Sequence, residues 1–273
     1  MTTTKKRIAV LIFSALFVLA GLGAFLAPLV KINSVALAGS GTEASPYLIS
    51  SANDLKTFRD SVNSGTTYEG KFVKLTSSID LKYATFTPVG STTEKPFKGT
   101  FDGDNHTISG LYVATTNANA NNYAVGLFGN INNATVKNLI IEDANVYCAS
   151  ASGAVGAKGA TSKAGNPGGD ALDVISGGVV GNSVKSAISN CHYTGFVYAV
   201  GGDGGDGGEA GTNKSGGGNG GGDGGNGASV WVGGIVGNSD GSVIEKCSFV
   251  GDIYAYGGYG GSGGAGSAAY SGA

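Results

Sequence analysis

Two 24-residue blocks align without a gap, and they constrain the fold more than any other feature of the chain. The block from Ser176 to Ala199 reads SGGVVGNSVKSAISNCHYTGFVYA, and the block from Val232 to Ala255 reads VGGIVGNSDGSVIEKCSFVGDIYA. A looser copy spans residues 125–147 and carries one extra residue before its tyrosine. A unit of this kind cannot bury its apolar side chains alone, but a stack of such units builds a continuous core. The sequence therefore predicts an all-β solenoid.

The length and patterning of the block favour one coil of a β-helix. Apolar positions such as Ile188, Cys191 and Tyr193 recur at a spacing near two, with slips at turns, as short strands require. About 24 residues fit one coil and are too few for a four-stranded propeller blade. A sandwich or a propeller stays open as an alternative topology.

The glycine-rich motifs of these blocks resemble a known repeat. Gly177-Gly-Val-Val-Gly-Asn182, Gly233-Gly-Ile-Val-Gly-Asn238 and Val125-Gly-Leu-Phe-Gly129 are similar to the GLUG repeat of bacterial surface proteins. The preceding segment, with Ser45-Pro-Tyr-Leu-Ile49 and Phe97-Lys-Gly-Thr-Phe-Asp-Gly103, resembles the usual companion of that repeat. The resemblance implies a right-handed parallel β-helix of the pectin-lyase-like kind. It implies little about activity, since such proteins are adhesin-like or cell-wall proteins and also occur beside protease domains.

Residues 1–38 have the pattern of an export segment. Lys5, Lys6 and Arg7 precede an apolar run at 8–30, and Ala36-Leu-Ala38 fits cleavage before Gly39. The segment is either a cleaved signal peptide or an uncleaved membrane anchor, because the apolar run is long enough to span a bilayer. Both alternatives place the rest of the chain outside the cytoplasm. Together with the resemblance above, this implies a bacterial protein that is secreted or displayed on the cell surface.

Residues 39–122 are predicted to form an N-terminal cap and the first coils. Ser51 or Asn53 can N-cap a short helix that ends at Gly65 and covers the end of the core. The apolar face of that helix consists of Leu55, Phe58 and Val62, and the predicted strands are 71–76, 97–101 and 107–113.

Residues 123–273 are predicted to form GLUG-type coils with glycine-rich inserts at about 150–175, 200–229 and 256–273. Each insert follows an equivalent tyrosine, Tyr147, Tyr198 or Tyr254, so we expect all three to leave the coils at one corner. Glycine recurs at every third position over much of each insert. The inserts are either flexible loops or left-handed, three-residue-per-turn helices packed side by side. The pattern reaches residue 273 inside the third insert, which predicts a chain truncated at its C-terminus.

The charge of the chain restricts the classes of molecule that it can bind. Beyond residue 38 the chain has 13 basic and 19 acidic side chains, and Arg59 is its single arginine. Nucleic acids are bound by clustered lysine and arginine, so we expect no nucleic-acid partner. We expect membrane contact only through the N-terminal segment, and host or cell-wall glycans or surface proteins as partners.

The asparagines and cysteines that recur at equivalent positions of the blocks are interpreted as parts of the fold. Asn130, Asn182 and Asn238 predict a ladder of side-chain hydrogen bonds between coils. Cys191 and Cys247 occupy equivalent positions, where they form either a disulfide or small buried apolar side chains, as Leu139 suggests.

No motif predicts a cofactor, a metal ligand or a catalytic residue. The Gly-Gly-Asp runs at Asp203 and Asp206 lack the large apolar residue of calcium-binding repeats. The cluster of Asp102, Asp104 and His106 reads as a turn rather than an active site. We therefore expect a non-catalytic exported surface protein, an adhesin-like or stalk module.

Two alternatives stay open. In the first alternative, the chain is a polysaccharide-binding or polysaccharide-degrading β-helix. Tyr147, Tyr198 and Tyr254 then form a stripe of candidate sugar-binding residues. Otherwise it is the non-catalytic N-terminal part of a larger secreted enzyme.

Overall fold

The computed structural model describes residues 37–118, 124–212 and 218–268 of the 273-residue chain. The predicted export segment, apart from Leu37 and Ala38, lies outside the described residues. Among the described residues, no helix is both long enough and apolar enough to cross a membrane.

The described residues form one helix and 16 strands. In chain order these are β1 (Tyr47–Ile49), α1 (Ala52–Asn63), β2 (Phe72–Leu75), β3 (Ile79–Asp80), β4 (Thr100–Asp102), β5 (Thr107–Ser109), β6 (Tyr112–Ala118), β7 (Ala124–Val125), β8 (Phe128–Asn132), β9 (Thr135–Ser150), β10 (Val174–Gly177), β11 (Val180–Val184), β12 (Ala187–Val200), β13 (Val230–Gly233), β14 (Val236–Asp240), β15 (Val243–Glu245) and β16 (Ser248–Tyr256).

Each of the three repeat copies contributes strands to the same three sheets. β7, β10 and β13 form one sheet, and β8, β11 and β14 form a second. In the third, β9, β12 and the pair β15 and β16 stack on the earlier strands β1, β2 and β4. All pairings between these strands are parallel, which confirms the predicted parallel stacking of copies and does not fit a sandwich or propeller of antiparallel strands.

The core is built from columns of equivalent side chains. Val73, Phe101, Val136 and Ile188 are paired in register in successive strands, and each is at most 1% exposed. Ile244 continues the column in the last copy, where it is 43% exposed. Stacking therefore buries the side chains of this column in every copy except the last described one.

Helix α1 covers the other end of the core, as predicted. Ser51, rather than Asn53, is its N-cap, and the Ser51 hydroxyl accepts a hydrogen bond from the Asp54 amide. The predicted apolar face is fully buried, and the Phe58 ring lies 5.8 Å from the Phe101 ring. The helix ends at Asn63, and Gly65 follows with a φ of +113°.

All three predicted strands differ from the bounds that the sequence pattern indicated, and the strand predicted at 71–76 is β2 at Phe72–Leu75. In 97–101, Phe97 makes only an isolated bridge to Ile131, and β4 begins at Thr100. The segment 107–113 is divided into β5 and β6 at Gly110, whose φ is +61°. Such a φ turns the backbone out of the extended conformation.

The extra residue in the first repeat copy forms a bulge. Ile141 pairs with Tyr193 and Ala144 pairs with Gly195, so β9 has two residues where β12 has one. One of the two, Asp143, has a φ of +49°. The bulge restores the register, and Tyr147 and Tyr198 face each other beyond it.

We expect Phe101→Ala to lower the free energy of unfolding by about 3–5 kcal/mol, because it leaves a cavity among buried rings. Phe196→Ala is the matched control, since Phe196 is 48% exposed on the same sheet. Urea unfolding followed by tryptophan fluorescence measures both. Equal losses in the two variants would contradict the core described above.

Candidate interaction surface on the glycine-rich legs

The glycine-rich inserts form extended segments, here called legs. Leg 1 (151–160) and leg 2 (163–171) belong to the first insert, and a turn at 161–162 joins them. Leg 3 (201–212) and leg 4 (218–229) belong to the second insert, and leg 5 (257–268) belongs to the third.

Every third amide of a leg donates to the leg two further along the chain. Gly153 donates to Asp203 and Gly156 to Asp206, which joins leg 1 to leg 3 at 2.8 and 2.7 Å. The same pattern joins leg 2 to leg 4 and leg 3 to leg 5. These pairs of legs run parallel, since they leave or re-enter the coils in the same direction.

Another set of amides donates to the preceding leg. The amides of Gly205 and Gly208 in leg 3 donate to Gly169 and Asn166 in leg 2, both at 2.8 Å. Legs 2, 4 and 5 bond to legs 1, 3 and 4 in the same way, and these pairs run antiparallel. A period of three is what left-handed helices with three residues per turn require. The structure thus shows packed legs rather than flexible loops.

Side chains are absent where legs touch because the backbones approach too closely for a Cβ atom. A Cβ at Gly205 would lie 2.0 Å from the Ala154 carbonyl oxygen, and one at Gly208 would lie 2.1 Å from that of Ala157. These distances are far below van der Waals contact. The glycine period is therefore a packing requirement.

The remaining third of the residues forms an exposed surface. On leg 3 these residues are Asp203, Asp206 and Glu209. Glu209 pairs with Lys158 of leg 1 at 2.9 Å, and this pairing lowers the pKa of Glu209. This charged pair therefore joins the exposed residues of leg 1 to those of leg 3.

Aspartates in or directly after a leg accept amides from the leg two further along the chain. The carboxylates of Asp203 and Asp206 accept the amides of Tyr259 and Ser262 in leg 5, at 2.8 and 2.7 Å. Asp170 and Asp173 accept amides of Asn226 and Ser229, which also lie 56 residues further along the chain. Sequence reasoning missed this role, because nothing local in a Gly-Gly-Asp run identifies a partner 56 residues away. No cluster of three candidate metal ligands occurs in the described part of the chain.

The Asp102, Asp104 and His106 cluster is a turn whose carboxylates are engaged. The Asp102 carboxylate accepts the Asp104 amide and the Asn138 side-chain amide, both at 2.9 Å, and pairs with Lys137 at 3.3 Å. Burial raises the pKa of Asp102, but these partners outweigh it, so that its pKa is lowered overall. Asp104 pairs with Lys74 at 3.0 Å and has a left-handed φ of +48°.

The predicted asparagine ladder is present, with Asn130 buried and the other two asparagines half-buried. Asn182 donates to Asn130 at 3.2 Å, and Asn238 donates to Asn182 at 2.9 Å. The lowest member, Asn130, donates to the Gly90 carbonyl at 3.0 Å.

A second ladder was not predicted. Asn190 donates to Asn138 at 2.9 Å, and both have left-handed backbones, with φ of +50° and +52°. The equivalent residue of the third copy is Lys246, whose backbone is also left-handed. Because lysine replaces asparagine, the sequence alignment shows no recurring asparagine at this position.

The stacked cysteines line the core. Cys191 pairs in register with Leu139, is 1% exposed, and its thiol is free, as is that of Cys247. The neighbouring Cys247 thiol and burial together raise the pKa of Cys191. The predicted inward apolar position is confirmed, and the structure contains no bond between the two sulfurs.

The tyrosine stripe is stacked on itself. The rings of Tyr147 and Tyr198 lie 5.2 Å apart at an interplanar angle of 16°, and Tyr254 lies 5.6 Å from Tyr198. A sugar ring stacks on an aromatic face, and the Tyr147 and Tyr198 rings already cover one face of each other. The Tyr254 ring is inclined at 46° to that of Tyr198 and is 41% exposed, so it is the most open ring at the end of the stripe.

The Arg59 side chain contacts an acidic residue and an aromatic ring. Its guanidinium pairs with Asp60 at 2.7 Å and lies 5.1 Å from the centre of the Phe86 ring.

Comparison with known proteins gives two partial relatives. Halomucin from Haloquadratum walsbyi is 32% identical over 118 residues, which are 40% of this chain and 1% of halomucin. A protein described as a Gly-rich membrane protein from Evansella cellulosilytica is 30% identical over 127 residues, which are 46% of this chain and 14% of that protein. The chain thus spans a small part of both relatives.

No protein-family model matches the chain. Among solved structures, a protein described as an immunoglobulin A1 protease from Bacteroides ovatus is similar with a TM-score of 0.29 and 18% identity. That match covers 85% of this chain and 86% of the other.

The hydrogen bonds between legs predict a period of three in amide exchange. We expect the amides of Gly205, Gly208 and Gly222 to exchange slowly, because each is bonded to a neighbouring leg. The amide of Val155 is an internal control, because its residue is 72% exposed and it donates to no described backbone carbonyl. Hydrogen–deuterium exchange with fragmentation measures this. Exchange of all these amides at the rate of an unstructured peptide would contradict the packed legs.

We expect Gly208→Ala to lower the free energy of unfolding by about 1–3 kcal/mol, since the new methyl group forces leg 1 away from leg 3. Gly220→Ala is the control, because no atom lies within 4 Å of its Cβ position. A surface change of that kind alters stability by about 0.5 kcal/mol or less. Chemical denaturation of both variants measures the effect. An unchanged free energy of unfolding in Gly208→Ala would contradict the close contact between legs 1 and 3.

Proposed function

We propose that the chain is a non-catalytic, exported surface protein whose right-handed parallel β-helix carries an adhesin-like or stalk module. The observation that carries the proposal is the bundle of five legs. It holds exposed side chains at fixed positions on legs whose backbones are hydrogen-bonded to neighbouring legs. A regular array of this kind serves display and contact.

The β-helix is supported by the order in which the sheets are visited. Each repeat copy passes through the three sheets in the same sequence and then joins the next copy in parallel register. Parallel strands linked by a crossover are right-handed in nearly all proteins, because of the twist of the strands. The proposed handedness follows from that rule.

Export is supported by the N-terminal pattern of Lys5, Lys6, Arg7 and the apolar run after them. The names of the partial relatives, halomucin and a Gly-rich membrane protein, agree with a surface or membrane location. The Ala38 carbonyl accepts the Leu48 amide at 2.8 Å. Cleavage before Gly39 would remove this bond, and an uncleaved anchor would keep it.

The side-chain array supports a contact role. Along a three-residue-per-turn helix, equivalent side chains repeat at about 9 Å. Asp203, Asp206 and Glu209 therefore form an acidic row on leg 3, with Lys158 on one side and Tyr259 on the other. Tyr259 is 81% exposed. Charged and aromatic groups on a rigid surface suit recognition of host or cell-wall glycans or surface proteins.

The test is surface labelling of intact bacteria that produce the full chain. We expect an antibody against the legs to label intact cells, and added protease to remove the label. In the control variant Lys5→Glu/Lys6→Glu/Arg7→Glu, the positive start is lost, and we expect the antigen to stay inside the cell.

Two results would count against the proposal. Labelling only after lysis of wild-type cells would contradict export. Release of reducing sugar ends from cell-wall polysaccharide by the purified exported protein would contradict a non-catalytic role and favour a polysaccharide-degrading β-helix.

A further inference from the structure

Leg 1 has alanine where the later odd-numbered legs have glycine. In leg 3, Gly205 and Gly208 face the backbone of leg 1, and a Cβ atom at these positions would lie 2.0 and 2.1 Å from its carbonyl oxygens. Ala149 pairs with Val200, so each residue of leg 3 corresponds to the residue of leg 1 that lies 51 positions earlier. The counterparts of these glycines and of the next ones on either side form what is here called the edge row: Ala151, Ala154, Ala157 and Ala160.

Leg 5 repeats the glycines of leg 3. A Cβ atom at Gly258, Gly261 or Gly264 would lie 1.8, 2.1 or 2.0 Å from a carbonyl oxygen of leg 3. Leg 1 keeps glycine in the register that faces leg 2, where a Cβ atom at Gly153 would lie 1.8 Å from the Gly169 carbonyl oxygen. Leg 1 thus lacks the one set of glycines that makes room for a leg on its other side.

The chain has no length available for a leg before leg 1. The inserts lie between β9 and β10 and between β12 and β13, and the equivalent connection between β6 and β7 consists of residues 119–123. An extended residue spans at most about 3.6 Å, so a connection this short cannot run out along leg 1 and return. The alanines at 154, 157 and 160 are exposed. This edge of the bundle is therefore set by a short connection well inside the sequence.

The same edge has backbone acceptors without a donor. In leg 3, the carbonyls of Asp203 and Asp206 accept amides from leg 1. The equivalent carbonyls of leg 1 belong to Ser152 and Val155, and Lys158 continues the series. Among the described residues, no backbone amide donates to these three carbonyls. Exposed acceptors at a regular spacing invite the addition of another segment of the same kind, as they do at the edge of a sheet.

We propose that the edge row keeps glycine-rich legs of other copies of this chain off the exposed side of leg 1. By the geometry at Gly205 and Gly208, each alanine methyl group occupies the place where a carbonyl oxygen of an added leg would lie. An added leg would have to stay too far away for its amides to reach the carbonyls of Ser152 and Val155. The inference rests on the packing of the legs and does not depend on the proposed function.

The test opens the edge with Ala154→Gly/Ala157→Gly/Ala160→Gly in the full chain. The probe is a synthetic peptide with the sequence of residues 201–212, because leg 3 donates to leg 5 with the amides that would face leg 1 here. NMR titration followed at residues 152–160 measures binding at this edge. We expect saturable binding to the variant, with a dissociation constant at least about tenfold below that of the wild-type chain.

The matched control is Ser152→Gly/Val155→Gly/Lys158→Gly. It adds three glycines to the same leg and keeps the edge row, so we expect it to bind the peptide as weakly as the wild-type chain. Slow exchange of the Gly153 and Gly156 amides, which donate to leg 3, shows in each variant that leg 1 remains packed. Ala157→Gly alone disturbs leg 1 least, and we expect it to have an intermediate affinity.

Two results would overturn the proposal. The first is equal affinity of the peptide for the wild-type chain or the control and for the variant with the opened edge, since the methyl groups would then exclude nothing. The second is an absence of saturable binding at millimolar peptide to both the triple variant and Ala157→Gly, since the edge would then be closed by something other than the alanines.

Discussion

Backbone hydrogen bonds between successive copies, at a nearly constant offset along the chain, hold this molecule together. The offset is 56 residues between the second and third copies, in all three sheets and again in the aspartate contacts between legs. Because the sheets fix this register, equivalent side chains stack in columns, and the asparagine ladder and the tyrosine stack follow from it. The legs depend on the same register, since each leaves the coils beside its counterpart.

Much of this stacking could be predicted from the sequence. The gap-free alignment of the two blocks places Asn182 on Asn238 and Tyr198 on Tyr254, and the structure pairs the same residues. Local rules limit the N-cap to Ser51 or Asn53 and predict the buried face of α1, and the structure selects Ser51. The glycine period showed that three-residue-per-turn packing was sterically possible. Export and surface display stay predictions.

The rest depends on contacts between distant residues. Glycine at most positions of a leg gives no sequence signal for its register, so the partner of Asp203 becomes known only when the coils place Tyr259 beside it. The left-handed asparagines at 138 and 190 were missed because the third copy uses Lys246, whose side chain cannot extend the ladder. The split between β5 and β6 arises at Gly110, which the apolar pattern passes over.

The turn at 161–162, where leg 1 becomes leg 2, restricts how the inserts can change in length. A residue inserted within a leg rotates the exposed row beyond it by a third of a turn and directs a side chain into a neighbouring leg. Insertions inside a leg therefore fit the packing in steps of three residues. Changes of other sizes have to fall where two legs join: from Tyr198 to Val230 the second insert is five residues longer than the first is from Tyr147 to Val174.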